Sequence, residues 1–210
     1  MNQSRNRILE TLKKNAPDKP KPLPEIDDFS FLYTDKISDK VVYFAEELVK
    51  TKGKLVYCES FEDLNKNLAL LFKQYNWDYV FCRDEDIQTI LMESEIPFAS
   101  ANDDMYTMQA GITKCEFLVA RFGSVVLSSR QLSGRRLGAF SPVHIVLAYT
   151  SQVVSELDEA LCALYEKYNG MPSMVTVITG PSRTADIEKT LVMGAHGPKE
   201  LIVFLINKTE

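Results

Sequence analysis

Cysteine and histidine are scarce in this chain. Its 210 residues include four cysteines and two histidines. Cys58, Cys82, Cys115 and Cys162 lie far apart, with no Cys-x-x-Cys pair and neither histidine close by. Iron–sulfur clusters and zinc sites need thiolates or imidazoles at short, regular spacing. The pattern therefore predicts no metal or cluster bound by this chain and four free thiols, three of them in or beside strands. Long apolar runs are missing too: none reaches the roughly 18 residues that span a bilayer. Met1-Asn2-Gln3-Ser4-Arg5 leads into a polar segment rather than the apolar core of a secretion signal, so the expectation is a cytoplasmic protein with no membrane span. Lys and Arg total 24 against 29 acidic residues, and they are dispersed, which argues against nucleic acid as a main partner. There is no Gly-x-Gly-x-x-Gly after a strand, no Walker sequence and no Gly-x-Ser-x-Gly elbow. A nucleotide cofactor and a serine hydrolase thus lack support.

What is present is helix–strand alternation. Residues 4–15 read as a short helix with Ile8, Leu9 and Leu12 on one face. Pro17, Pro20, Pro22 and Pro24 then favour an extended linker. The expected organisation is an N-terminal helical arm (1–16), a proline-rich linker (17–36) and one α/β domain (37–210). A chain of this length buries roughly 70% of its unfolded surface, enough for a core without metals or disulfides. Within the domain, Val41, Phe44, Leu48 and Val49 recur at helical spacing, with Gly53 as a stop. Leu55-Val56-Tyr57-Cys58 and Tyr79-Val80-Phe81-Cys82 read as strands, with a helix capped by Ser60 between them. Glu85 to Met92 is a further helix. Such alternation predicts a mostly parallel sheet wrapped by helices. Phe117 to Ala120 and Ser124 to Leu127, joined through Gly123, read as an inserted antiparallel hairpin. Residues 128–142 read as a long loop, His144 to Tyr149 as a buried strand, and Ser155 as the cap of a helix running to Lys167. Val175 to Ile178 reads as a buried strand, and Leu201 to Ile206 closes the sheet.

Three clusters can carry chemistry. The first is the turn after Val175–Ile178: Thr179, Gly180, Pro181, Ser182, Arg183 and Thr184. Read as the start of a short helix at the carboxyl end of a strand, it offers backbone donors, hydroxyls and a guanidinium to a phosphate or carboxylate. The structural alternative is a capped turn in which Arg183 pairs with Asp186 or Glu188. The second is the loop with Ser128, Ser129, Ser133, Gly134, Arg135 and Arg136, either an anion clamp or a solvated basic loop. The third is the histidines: His196, between two glycines of a turn region, is the better ligand-binding candidate, and a lone His144 is more simply a hydrogen-bond anchor. No catalytic residue is assigned.

The stretch from Thr179 to Leu201, TGPSRTADIEKTLVMGAHGPKEL, closely resembles the C-terminal signature of the lactate-utilisation (LUD) domain family, in its LutC/YkgG-like branch. Gly123-Ser124, Ser128-Ser129, Ser133-Gly134-Arg135-Arg136 and Pro142-Val143-His144-Ile145 are compatible with the same pattern. The resemblance covers roughly residues 40 to 206. It implies a fold similar to the sugar-phosphate isomerase and CoA-transferase (NagB/RpiA-like) group. It also implies a non-cluster subunit working beside iron–sulfur proteins that oxidise L-lactate to pyruvate, the clusters belonging to those partners. The alternative is a stand-alone enzyme or sensor that binds an anionic metabolite, a carboxylate, phosphate or CoA-like molecule, at Thr179–Thr184. Where relatives often carry an acid before the hairpin turn, this chain has Arg121, which cannot act as a carboxylate nucleophile for CoA transfer.

Overall fold

A computed structural model of the chain describes residues 2–15, 37–101, 103–133, 135–187, 190–193 and 197–207. Contacts divide the chain into two units, residues 1–36 and 37–210. The first contains α1 (Asn2–Asn15), with Lys13 and Lys14 in its last turn, where the helix dipole favours cations. The proline-rich stretch lies outside the described residues.

In the second unit, α2 (Lys40–Lys50) starts at Asp39, whose carboxylate accepts from the backbone N–H groups of Val41 and Val42. It is followed by β1 (Lys54–Cys58) and by α3 (Phe61–Tyr75), where the Ser60 hydroxyl accepts from the Asp63 N–H as its spacing predicts. Then come β2 (Val80–Cys82), α4 (Glu85–Glu93), β3 (Phe98–Ala99), β4 (Ala110–Lys114), β5 (Phe117–Val119) and β6 (Ser124–Ser128). The remainder is α5 (Leu137–Phe140), β7 (Val143–Tyr149), β8 (Val153–Val154), α6 (Leu157–Tyr168), β9 (Val175–Ile178), β10 (Arg183–Ile187), β11 (Thr190–Met193) and β12 (Glu200–Ile206).

Six strands form a wholly parallel sheet in the order β1-β12-β7-β4-β2-β3. The apolar run of β12 explains why it lies inside. Ile202, Phe204 and Ile206 pack with α3 and α4 on one face, while Leu201, Val203 and Leu205 pack towards α2 and the second sheet. A strand buried on both faces needs this continuous apolar sequence. Each such side chain contributes about 1.5–3 kcal/mol on burial, so β12 supplies on the order of 10 kcal/mol before chain entropy is subtracted.

The expected inserted hairpin is present as β5–β6, and it belongs to a second sheet in the order β8-β5-β6-β9. Its outer face is covered by α6, through Ala160 and Leu164 against Val119 and Val126. Several expectations need correction. β4 was not anticipated, because Gly111, Thr113 and Lys114 interrupt its apolar pattern. Gly111 is there for space: a Cβ would lie 2.1 Å from the Ser141 hydroxyl. The loop of residues 128–142 contains the single turn α5. The cap of α6 is Glu156 rather than Ser155. β9 is half-buried instead of buried, because it is an edge strand. Finally, Arg183–Ile187 is a strand paired with β11, not a helix. Thr184, Ile187, Thr190 and Val192 are β-branched, and that preference outweighs the acids that suggested a helix start.

Candidate functional site

A cavity of about 670 Å³ runs along β9, within the range of roughly 300–1,000 Å³ typical of small-molecule sites. Successive residues Thr176, Val177, Ile178 and Thr179 all line it. Alternate side chains of a strand point to opposite faces. Contact with both sets therefore places the cavity along the free edge of β9. The opposite wall comes from α5 (Gly138, Ala139), the end of α2 (Lys50, Thr51) and the approach to β12 (Gly197, Pro198). Those last two segments lead into β1 and β12, so the cavity lies at the amino end of the parallel sheet. The carboxyl-end rule for open α/β sheets does not apply to this turn, because β9 belongs to the other sheet.

The turn after β9 is built against α2. Gly180 has φ of 78°, and a Cβ there would meet the Thr51 carbonyl oxygen at 2.5 Å. Glycine alone satisfies both demands. The Thr179 hydroxyl lies 2.7 Å from that of Ser124, and Pro181 is buried. The Ser182 N–H donates to the Pro198 carbonyl at 2.8 Å, so that backbone donor is already used. With a strand following, the turn has no helix N-terminus to seat an anion. Cationic side chains take that place. Arg183 Nη2 donates to the Thr51 carbonyl at 2.7 Å; the side chains of Asp186 and Glu188, its alternative partners in the sequence, lie outside the described residues. At the other end of β9, Arg135 Nη2 donates to the Ser173 hydroxyl, which lies 3.0 Å from that of Ser129. Lys50 is a third cation, paired with Glu47. Among the described residues that line the cavity there is no carboxylate.

The structure thus gathers Thr179, Gly180, Ser182, Arg183 and Arg135 around one cavity. Other predicted residues lie elsewhere. The buried Ser128 hydroxyl donates to Glu116, which also accepts from Tyr168 at 2.8 Å and Lys167 at 2.7 Å. That network ties the second sheet to α6. Arg136 is exposed at the start of α5, where its carbonyl accepts from the Ala139 and Phe140 N–H groups. Ser133 is buried, and its hydroxyl finds no partner among the described residues. Thr184 sits on β10 opposite Val192. His196 and Gly134 lie outside the described residues. Sequence reasoning missed Lys50, Thr51 and α5. Lys50 and Thr51 end a helix some 130 residues upstream of the turn, and no local pattern links them to it.

His144 is fully buried on β7, with Nε2 2.9 Å from the Thr113 hydroxyl. Burial pushes its pKa down to about 4, so it is neutral at physiological pH. Arg121 is locked to Glu156, with contacts of 3.0 Å from Nε and 2.6 Å from Nη2 to Oε1. Cys58, Cys82 and Cys115 are buried and Cys162 is exposed. Burial raises the Cys82 thiol to about 12 and pushes Cys115 up as well, which makes both unreactive. Among the described residues, no group of three or more His, Cys, Asp or Glu side chains is arranged to hold a metal. Nor is any described helix long and apolar enough to cross a membrane.

The LUD domain model matches residues 86–206. An uncharacterised protein of Neisseria meningitidis serogroup B is 37% identical over 124 residues, which cover 59% of this chain and 52% of that protein. The lactate utilization protein C of Geobacillus thermodenitrificans is 35% identical over 99 residues, 46% of this chain and 41% of that protein. The chain therefore spans about half the length, or less, of these relatives. In structure, a DUF162 family protein from Deinococcus radiodurans superposes with a TM-score of 0.62 at 18% identity, covering 81% of this chain and 99% of that one. That likeness shows the fold.

Proposed function

The chain belongs to the LUD domain family, and from that premise we propose that it serves lactate utilisation by binding an anionic metabolite in the cavity along β9. In this reading it is a cytoplasmic, non-cluster subunit. It works beside iron–sulfur proteins that oxidise L-lactate to pyruvate and carries no metal of its own. The lactate utilization C relatives supply the pathway context. The observation that carries the binding role is the cavity itself, where Arg135 and Arg183 face no carboxylate among the described lining residues.

A guanidinium gives a bound carboxylate or phosphate charge-assisted hydrogen bonds worth about 1.5–3 kcal/mol each. Arg183→Gln is therefore expected to weaken anion binding by roughly ten- to a hundredfold. Thermal shifts of the purified chain and the variant with L-lactate, pyruvate, phosphate and CoA test this. Loss of basal stability with no change in anion response would leave Arg183 as a structural tie to Thr51 alone. No shift with any of these anions on the unmodified chain would overturn the reading. Lactate-dependent dye reduction is expected only when the iron–sulfur partners are added. Turnover by the isolated chain would instead support a stand-alone enzyme.

A further inference from the structure

The two arginines stand at opposite ends of the cavity, and this separation says more than their charge. Arg135 reaches Ser173, two residues before β9. Arg183 reaches Thr51, against which the Gly180 turn packs immediately after β9. The poles are thus divided by the whole of β9, whose four residues span about 13 Å at roughly 3.3 Å each. Between them the wall mixes apolar and polar groups: Leu127, Ile178, Gly138 and Ala139 line it together with Thr176 and Thr179. Lys50 sits near the Arg183 end but is already paired with Glu47. Neither arginine faces a carboxylate within ion-pair distance among the described residues.

A three-carbon hydroxy acid has one carboxylate and reaches one pole. It would leave the second guanidinium and most of the wall to water. A molecule that satisfies the whole site carries an anionic group at each end and an extended body between them, with apolar stretches for Leu127 and Ile178 and polar groups for Thr176 and Thr179. Resting on the anion-binding role proposed above, we infer that this cavity takes an elongated organic dianion of cofactor dimensions, lying along the edge of β9. Its two negative ends engage Arg135 and Arg183 separately. Lactate and pyruvate are then poor ligands of this chain, and the site holds a carrier or cofactor rather than the oxidised substrate.

A ruler of α,ω-dicarboxylates tests the length directly. Three main-chain bonds of an extended chain cover about 3.3–3.6 Å, so dodecanedioate is about as long as β9. Titration calorimetry would compare succinate, suberate and dodecanedioate, with dodecanoate as the single-carboxylate control. Affinity is expected to rise at least tenfold from succinate to dodecanedioate, with dodecanoate weaker than the diacid. Arg135→Gln and Arg183→Gln should each weaken dodecanedioate by ten- to a hundredfold. Their effects should multiply, because sites more than about 7–10 Å apart act independently. Arg183→Lys, which keeps the charge, should restore part of the loss and controls for a folding defect. Succinate or dodecanoate binding as tightly as dodecanedioate would overturn this inference and leave the anion-binding role standing. So would a double variant no weaker than the worse single one. Failure of every carboxylate to bind would overturn this inference, and the anion-binding role falls with it if phosphate and CoA also give no thermal shift.

Discussion

Replacing Gly123 by alanine tests how the second sheet is fixed to α2, and through α2 to the cavity. Gly123 closes the turn between β5 and β6 in the left-handed conformation, with φ of 57° and ψ of 38°. An added Cβ would lie 2.2 Å from the Leu48 backbone nitrogen and 2.5 Å from the Glu47 carbonyl carbon. The obstacle is helix backbone, so no rotamer change relieves it. Either α2 or the turn must retreat by more than 1 Å, from 2.2 Å to the 3.4 Å at which ordinary contact begins. The left-handed conformation costs an alanine about 1–2 kcal/mol, and overpacking adds about 1–3 kcal/mol. At about 2–4 °C per kcal/mol for a domain of this size, the melting temperature should fall by roughly 5–15 °C. Because α2 ends in Lys50 and Thr51, the displacement should also weaken anion binding. Asn169→Ala is the control. It places alanine at φ of 50° and ψ of 49°, where a Cβ already fits. It should cost about 1 kcal/mol and leave binding unchanged. Thermal melts of both variants decide the matter: equal losses, or a Gly123→Ala protein within 2 °C of the unmodified chain, would refute the steric reasoning.

Two further outcomes follow from buried polar groups. His144 is held near pKa 4 by burial, against about 6.5 when unfolded. Both states are neutral above pH 6.5; below it the unfolded chain takes a proton that the folded one refuses, so stability is lost as pH falls from 6.5 towards 4. Urea melts at pH 7.5 and pH 5 should show a steeper loss for the unmodified chain than for His144→Gln, and parallel slopes would contradict this. Glu116→Ala leaves the buried Ser128 hydroxyl without its acceptor, whereas Lys167 and Tyr168 are partly exposed and turn to water. A loss of about 2–4 kcal/mol is expected from the orphaned group and the space left behind, with Glu116→Gln costing less.

Local chemistry was legible wherever neighbours in sequence decide it. Ser60 caps α3 because its hydroxyl reaches an N–H three residues on. The unbroken apolar run of β12 announces a strand covered on both faces. β4 was missed because Gly111 answers to Ser141 and Leu137 across the fold and not to its own neighbours. Arg183–Ile187 reads as a helix start in the sequence, because acids near a turn fit one equally well; pairing with β11 makes it a strand.

The candidate site divides in the same way. Sequence by itself determined that Thr179–Gly180–Pro181–Ser182 breaks the chain and that Arg135 and Arg183 belong to two segments able to meet an anion. It also determined, through the length of the matching segment after Thr179, the family to which the chain is similar. Only the tertiary structure decided that Arg183 ties to Thr51, 132 residues away, and that Ser128 serves Glu116 instead of the cavity. It alone set Arg135 and Arg183 at opposite ends of one edge strand. Hydrogen bonds within a turn or helix are set by residues a few places apart. An edge and its facing wall form only when strands pair across the whole chain, and that pairing answers to burial summed over every element at once.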